Sequence, residues 1–164
     1  MAPSVLIVCL GNICRSPMGE AVLRHIASER GVELTIDSCG TGAYHTGKLA
    51  DPRTRNTCAK HGISIVVPAA DGPHGGQPHR ARSIESNDFT RFDYILAADK
   101  NNLQNLQKIK PKNCTADVRL WGSYLDNEPI SDPYYDSDQS DPEFEECYQH
   151  CIKLSNAFLD NLAG

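Results

Sequence analysis

The stretch Ser4-Val5-Leu6-Ile7-Val8-Cys9-Leu10-Gly11-Asn12-Ile13-Cys14-Arg15-Ser16-Pro17 decides how the rest of the chain is read. Ser4 to Leu10 reads as a short strand, continuously apolar through Val5, Leu6, Ile7 and Val8. Such a run fits a strand buried on both faces, as in a parallel sheet. Gly11 and Asn12 permit the unusual backbone angles of a tight turn. Ser16-Pro17 then predicts a helix start, with a hydroxyl at the N-cap and proline at the first helical position. Met18, Val22 and Ile26 recur four apart, with Leu23 beside them, and give that helix an inward face.

Working outward, further strands are predicted at Leu34 to Ser38, Tyr94 to Ala97 and Val118 to Leu120. Asp51-Pro52 repeats the cap-plus-proline start, and its helix should stop at His61-Gly62. Asp99 can cap a helix carrying Leu103, Leu106 and Ile109. Asp141-Pro142-Glu143 opens a last helix whose apolar residues, Phe144, Cys147, Cys151, Leu154, Phe158 and Leu162, describe one face. Strands alternating with helices predict an α/β fold. The expectation is a single domain over residues 1–164: a four-stranded parallel twisted sheet with helices on both faces, flavodoxin-like or Rossmann-like. Residues 66–78 are rich in Gly and Pro and are expected to form an exposed insertion loop.

The chain has 164 residues, 40% of them hydrophobic and 23% charged, so a core can form without a metal or disulfide staple. A net charge of −5 argues against nucleic-acid and membrane-surface partners. No basic leader precedes the first apolar run, and no apolar stretch reaches the length of a membrane span. The seven cysteines are an odd, scattered set that makes a poor disulfide framework, which points to a reducing, cytoplasmic setting. Their spacing does not suit structural zinc, and His74 and His79 read as solvated loop residues rather than ligands. No metal and no cofactor are expected.

The chemistry is carried by Cys9, five intervening residues and Arg15. In open α/β sheets ligands bind at the carboxyl ends of strands, where Cys9 stands. Backbone N–H groups of Leu10, Gly11, Asn12, Ile13, Cys14, Arg15 and Ser16 can converge on one anion. The positive end of the following helix adds to that field. The Arg15 guanidinium offers two parallel donors to phosphate oxygens. The same field should ionise Cys9, and Ser16 can donate a hydrogen bond to its sulfur. A phosphate ester also needs its leaving group protonated, and Asp132, before Pro133, Tyr134 and Tyr135, is the candidate acid. Taken alone, Asp132-Pro133 would read as a plain turn, and Cys9 as a small buried residue at a strand end. The two pieces together favour a cysteine-dependent phosphatase with a phosphocysteine intermediate.

These residues resemble the low-molecular-weight protein tyrosine phosphatases. Val8 to Pro17 carries the specific match. Weaker similarity runs through Asp37-Ser38, Gly40-Thr41, Lys60-His61-Gly62-Ile63, Phe92-Asp93-Tyr94-Ile95-Leu96 and Asp132-Pro133-Tyr134-Tyr135. The resemblance implies Cys9 as nucleophile, Arg15 as transition-state clamp, Ser16 as thiolate stabiliser, Asn12 as the shaper of the loop and Asp132 as general acid. It puts Tyr44 at the pocket mouth with Tyr134 or Tyr135, and makes Cys14 a redox partner able to form a reversible disulfide with Cys9. Tyr134 and Tyr135 resemble tyrosines that kinases modify in some members. The implied partners are phosphotyrosine-containing proteins, with inorganic phosphate or vanadate as inhibitors and a monomer or weak dimer as the working form. One departure is visible: the Gly/Pro-rich stretch separates His61 from the His79-Arg80-Ala81-Arg82 segment. A thiol-linked arsenate reductase is the main alternative. It would need further redox cysteines near mid-chain, where none lies between Cys58 and Cys114. A catalytically silent phosphotyrosine-binding module would have less use for both Cys9 and Asp132.

Overall fold

A computed structural model describes residues 2–66, 76–133 and 142–163. Most of the expected insertion loop, and both Tyr134 and Tyr135, lie outside the described residues. Four parallel strands form one sheet: β1 (Ser4–Cys9), β2 (Thr35–Gly40), β3 (Tyr94–Ala97) and β4 (Asp117–Leu120), in the order β2-β1-β3-β4. The helices are α1 (Arg15–Glu29), α2 (Pro52–Lys60), α3 (Asp88–Arg91), α4 (Lys100–Ile109) and α5 (Pro142–Ala163). The β3 bounds are those read from the sequence, and β2 runs two residues further, to Gly40. The short α3 carries no periodic signal and was not anticipated.

The chain passes from β1 to β2 on one side, then crosses back to β3 on the other. Ser4 pairs with Thr35 and Cys9 with Gly40, while Val5 pairs with Tyr94 and Val8 with Ala97. The topological switch point therefore falls between β1 and β3, and the crevice opens at their carboxyl ends. Alternation along the buried β1 feeds two cores. Val5, Ile7 and Cys9 face the layer of α1, α2 and α5, while Leu6 and Val8 face Phe89, Phe92 and Leu106.

The inward faces expected of α1 and α5 meet each other. Met18, Val22, Phe144, Cys151, Leu154 and Phe158 are all buried in the same cluster. Phe158 also meets Tyr94 and Tyr124 edge to face, each at 5.2 Å between ring centres. Trp121 packs so closely on α1 that a Cβ on Gly19 would lie 2.7 Å from its ring, so Gly19 answers a close approach rather than a turn.

The capping expectations divide. The Asp51 side chain accepts from Arg53 N at α2, and Asp99 forms a full capping box with Asn102 at α4. Gly62 leaves α2 at φ 76°, as a helix stop requires. Ser16, read as the N-cap of α1, lies inside that helix instead. The N-cap is Cys14, and no side chain caps it. The serine hydroxyl is turned toward Cys9 Sγ, so the first N–H groups of α1 gain no side-chain cap at the mouth of the crevice.

The stretch that separates His61 from His79 is pinned at its base. Val66 and Pro78 form an isolated antiparallel bridge, and His79 N–H donates to the Ile65 carbonyl at 3.3 Å. His79 thus re-enters the fold beside the point of departure. His61 stays on α2's end, stacked on Tyr148 at 3.8 Å and bonded to Glu145 at 2.8 Å, where it ties α2 to α5.

Removing the Phe158 ring deletes the hub shared by β3, α5 and the Trp121–Tyr124 turn. Phe158→Ala is expected to cost about 3–5 kcal/mol in urea unfolding. A loss below about 1 kcal/mol would show that this layer does not carry the core.

Candidate active site

The loop between β1 and α1 turns on Asn12, which is fully buried and sits at φ 59°, a left-handed conformation that asparagine tolerates better than most residues. Its N–H donates to Cys9 Sγ at 3.3 Å, and its carbonyl meets His79 Nε2 at 3.1 Å. Its side-chain oxygen accepts from the backbone N–H of Arg82 at 3.0 Å. A backbone N–H can only donate, so the orientation of the amide is fixed. Both hydrogens of Nδ2 then point the other way, to Ser16 Oγ at 2.7 Å and Ser38 Oγ at 3.1 Å.

Each hydroxyl accepts from the amide and passes its own proton on. Ser38 donates to Glu20 Oε1 at 2.6 Å. Ser16 Oγ stands 3.0 Å from Cys9 Sγ, with the Cys39 carbonyl as a second acceptor at a longer 3.4 Å. The sulfur thus accepts from the Asn12 amide and has the Ser16 hydroxyl within hydrogen-bond distance. Glu20 is held by Arg24 at 2.8 Å, and His79 Nδ1 lies 3.8 Å from it. Arg82 is clamped between Asp37 and Asp88 at 3.0 Å each. Burial pulls the Arg82 pKa down, but the hydrogen bond to Asp88 and the charge of Asp37 outweigh it and leave the guanidinium firmly protonated.

Arg15 is 3% exposed and reaches across the crevice. Nη1 donates to Asp99 Oδ2 at 2.6 Å and to the Ile130 carbonyl at 3.1 Å, and Nη2 faces Asp132 Oδ2 at 3.4 Å. Burial again opposes its charge, while Cys9, Asp99 and Asp132 raise its pKa. Asp99 thus serves two elements. Oδ1 caps α4 through Asn102 N at 2.7 Å, and Oδ2 holds the guanidinium. Sequence reading found only the cap. Its position just past the end of β3, beside the switch point, was the available signal for more. The Asp132 loop is fastened to the same place by Ile130 N–H on the Ala98 carbonyl at 2.8 Å.

Together these residues enclose a cleft of about 420 Å³, within the range of small-ligand sites. Cys9 to Arg15 form its floor, and Tyr44, His45 and Asp132 its walls. Tyr44 stands at the mouth, 75% exposed. His45 was not anticipated. Its ring lies 2.8 Å from where a Cβ on Gly11 would be, so Gly11 is needed for the wall to close on the floor. Cys14 also lines the cleft, and its thiol is pushed well above the usual range by burial, then by Asp51 and Cys9. All seven cysteines are free. Among the described residues no three His, Cys, Asp or Glu side chains gather as metal ligands.

Asn12→Ala would leave the Arg82 N–H buried without its acceptor and strip one donor from each serine. The expected cost is about 1–3 kcal/mol in denaturant unfolding, with a fall in turnover larger than any fall in substrate affinity. Unchanged stability and turnover would contradict the network's role.

The family model for low molecular weight phosphotyrosine protein phosphatases matches residues 4–163. The low molecular weight phosphotyrosine protein phosphatase of Schizosaccharomyces pombe is 42% identical over 165 residues, covering 97% of this chain and 96% of the relative. Among solved structures, the protein tyrosine phosphatase from Entamoeba histolytica superimposes with a TM-score of 0.85 at 27% identity, covering 99% of this chain and 97% of that one. The Drosophila arginine phosphatase has a TM-score of 0.84 at 30% identity, covering 98% of each chain. With its sheet order and its Cys9–Arg15 loop, the chain belongs to the low molecular weight phosphotyrosine protein phosphatase family.

Proposed function

We propose that this protein hydrolyses phosphotyrosine in proteins, and small aryl phosphates, through a phosphocysteine on Cys9. The observation that carries the reading is the convergence of Cys9 Sγ, Arg15 and Asp132 on one cleft whose floor is a helix-leading loop of backbone donors. Cys9 attacks phosphorus in line, an S–P bond forms and the P–O bond to the phenol breaks. Asp132 gives its proton to the departing oxygen. Asp132, now a carboxylate, takes a proton from water, whose oxygen attacks phosphorus and releases the sulfur. Loop N–H groups and Arg15 hold the equatorial oxygens throughout, as electrostatic preorganisation. Asp99 anchors Nη1 of Arg15, which leaves the weakly engaged Nη2 to turn from Asp132 to the phosphate. No metal or cofactor enters these steps.

Phosphotyrosine suits the cleft for two reasons. The thiol is buried at the floor, 3% exposed, which favours a longer phosphoester side chain. Leu10, Ile13 and Tyr44 offer apolar contact to a ring. Tyr134 or Tyr135 would complete that rim and are candidate kinase targets. We assign the protein to the cytoplasm, working as a monomer or weak dimer, with phosphate and vanadate as inhibitors. No helix among the described residues is long and apolar enough to cross a membrane. Cys14 suits the part of resolving thiol. After oxidation of Cys9 to a sulfenic acid, the Cys14 thiol would condense with it, forming a disulfide and releasing water. Cys9 and Cys14 are the only cysteines lining the cleft among the described residues, so the arsenate reductase reading, which needs a further redox cysteine at the site, is less supported.

The test is a leaving-group series on Asp132→Asn. Its kcat should fall most for phosphates of weakly acidic phenols and least for nitrophenyl phosphate, with phosphotyrosine peptides preferred over phosphoserine and phosphoarginine peptides in the wild type. Equal slowing across leaving groups would remove Asp132 from the acid role, and a preference for phosphoarginine would overturn the substrate assignment.

A further inference from the structure

The charges of this chain are segregated about the cleft. No Lys or Arg lies between Arg119 and Lys153, a span that carries nine Asp and Glu residues. From Tyr44 to Arg82 the balance is reversed, with six Lys and Arg against two Asp. Among the described residues, Tyr44 and His45 of the basic segment and Asp132 of the acidic one line the same cleft.

On the first wall, Lys48 follows Tyr44 and His45, its N–H on the His45 carbonyl. Arg80 is drawn alongside by the Leu49–Arg80 bridge and by its own Nη1, which donates to the Gly47 carbonyl at 3.0 Å. Arg55 folds back on the Ala50 carbonyl at 3.1 Å. All three cations are exposed. The acid of this wall among the described residues, Asp51, is gripped on both oxygens by Arg53. From the acidic segment, Asp132 lines the cleft and is shared with a second depression lined by Glu143, Glu146 and His150. His150 in turn meets Asp126 at 3.2 Å.

We infer that this enzyme reads the charge polarity of the peptide around the phosphotyrosine. It favours acidic residues on the flank that faces Lys48, Arg55 and Arg80, and selects against them on the flank that faces Asp132, Glu143 and Glu146. The inference rests on the phosphatase reading and names the substrate class within it. With the phosphotyrosine in the cleft, an extended peptide advances about 3.3 Å per residue. Residues two or three places away on each side therefore reach about 7–10 Å from the phosphotyrosine, comparable with the Debye length of about 8 Å at physiological ionic strength. Acidic residues are attracted on one flank and repelled on the other, so a uniformly acidic peptide gains little. The acidic wall acts here by repulsion and need bind nothing.

The experiment uses the full chain and four phosphotyrosine peptides: neutral on both flanks, three glutamates on the N-terminal flank only, three on the C-terminal flank only, and three on both. One of the two one-sided peptides should exceed the neutral one in kcat/KM by about three- to tenfold at low salt. The other should fall to the neutral value or below, and the doubly acidic peptide should lie between them. The gap should close in about 0.5 M salt. It should also vanish in the Lys48→Glu, Arg55→Glu double variant, while turnover of a neutral aryl phosphate stays as in the wild type and certifies the fold. Equal rates for the two one-sided peptides would overturn the inference, as would a gap that survives in the double variant. Absence of aryl phosphate turnover in the wild type would overturn the phosphatase reading instead.

Discussion

The site depends on the direction in which one buried amide points. Asn12 cannot flip, because its oxygen faces a backbone N–H that can only donate. That single constraint sends both Nδ2 hydrogens to serine hydroxyls, and each hydroxyl must then release its own proton elsewhere. One proton goes to a carboxylate that Arg24 already holds, and the other has the Cys9 sulfur and the Cys39 carbonyl within reach. Buried polar networks of this kind are stable only when every member is satisfied. The loop, β2, α1 and the His79–Arg82 segment are therefore bound into one unit. The positive φ of Asn12 belongs to the same arrangement, since it turns the backbone N–H toward the sulfur while the side chain faces the core.

A second constraint is electrostatic. The chain carries a net charge of −5, yet the proposed ligand is an anion. The cleft resolves this locally. Arg15 is buried, and a buried guanidinium must be paired, a need that Asp99 meets at 2.6 Å and Asp132 only loosely at 3.4 Å. The unequal pairing leaves one edge of the cation committed and the other available. The uncapped start of α1 leaves its N–H groups at the floor of the same cleft, an arrangement suited to an incoming anion.

Much of this was legible in the sequence, and the exceptions have physical causes. The apolar run of β1, the four-residue spacing along α1 and the long face of α5 report burial directly, and each element appears where its pattern lies. Cys9, Arg15 and Asp132 could be singled out because their residue types suit a reaction, and all three line one cleft with Tyr44. Ser16 was read both as a neighbour of the Cys9 sulfur, from which it stands 3.0 Å, and as the N-cap of α1, which it is not, since a hydroxyl before proline signals a cap equally well. Glu20 was invisible, and Ser38 and Arg82 stood out only as members of weakly similar stretches, with no role. They are polar residues that composition assigns to the surface, and their partners lie far off in the sequence. Asp99 was half legible, because a capping aspartate and a clamp-holding aspartate look alike until β3 is placed beside β1.

The central claim is that Cys9 carries the phosphoryl group between substrate and water. The direct measurement is rapid acid quench of the wild type during turnover of a radiolabelled aryl phosphate, followed by peptide mapping of the trapped protein. The account predicts label on the peptide that contains Cys9, formed faster than free phosphate, and none in Cys9→Ser. Phosphate release without protein-bound label, or label on a residue other than Cys9, would contradict it.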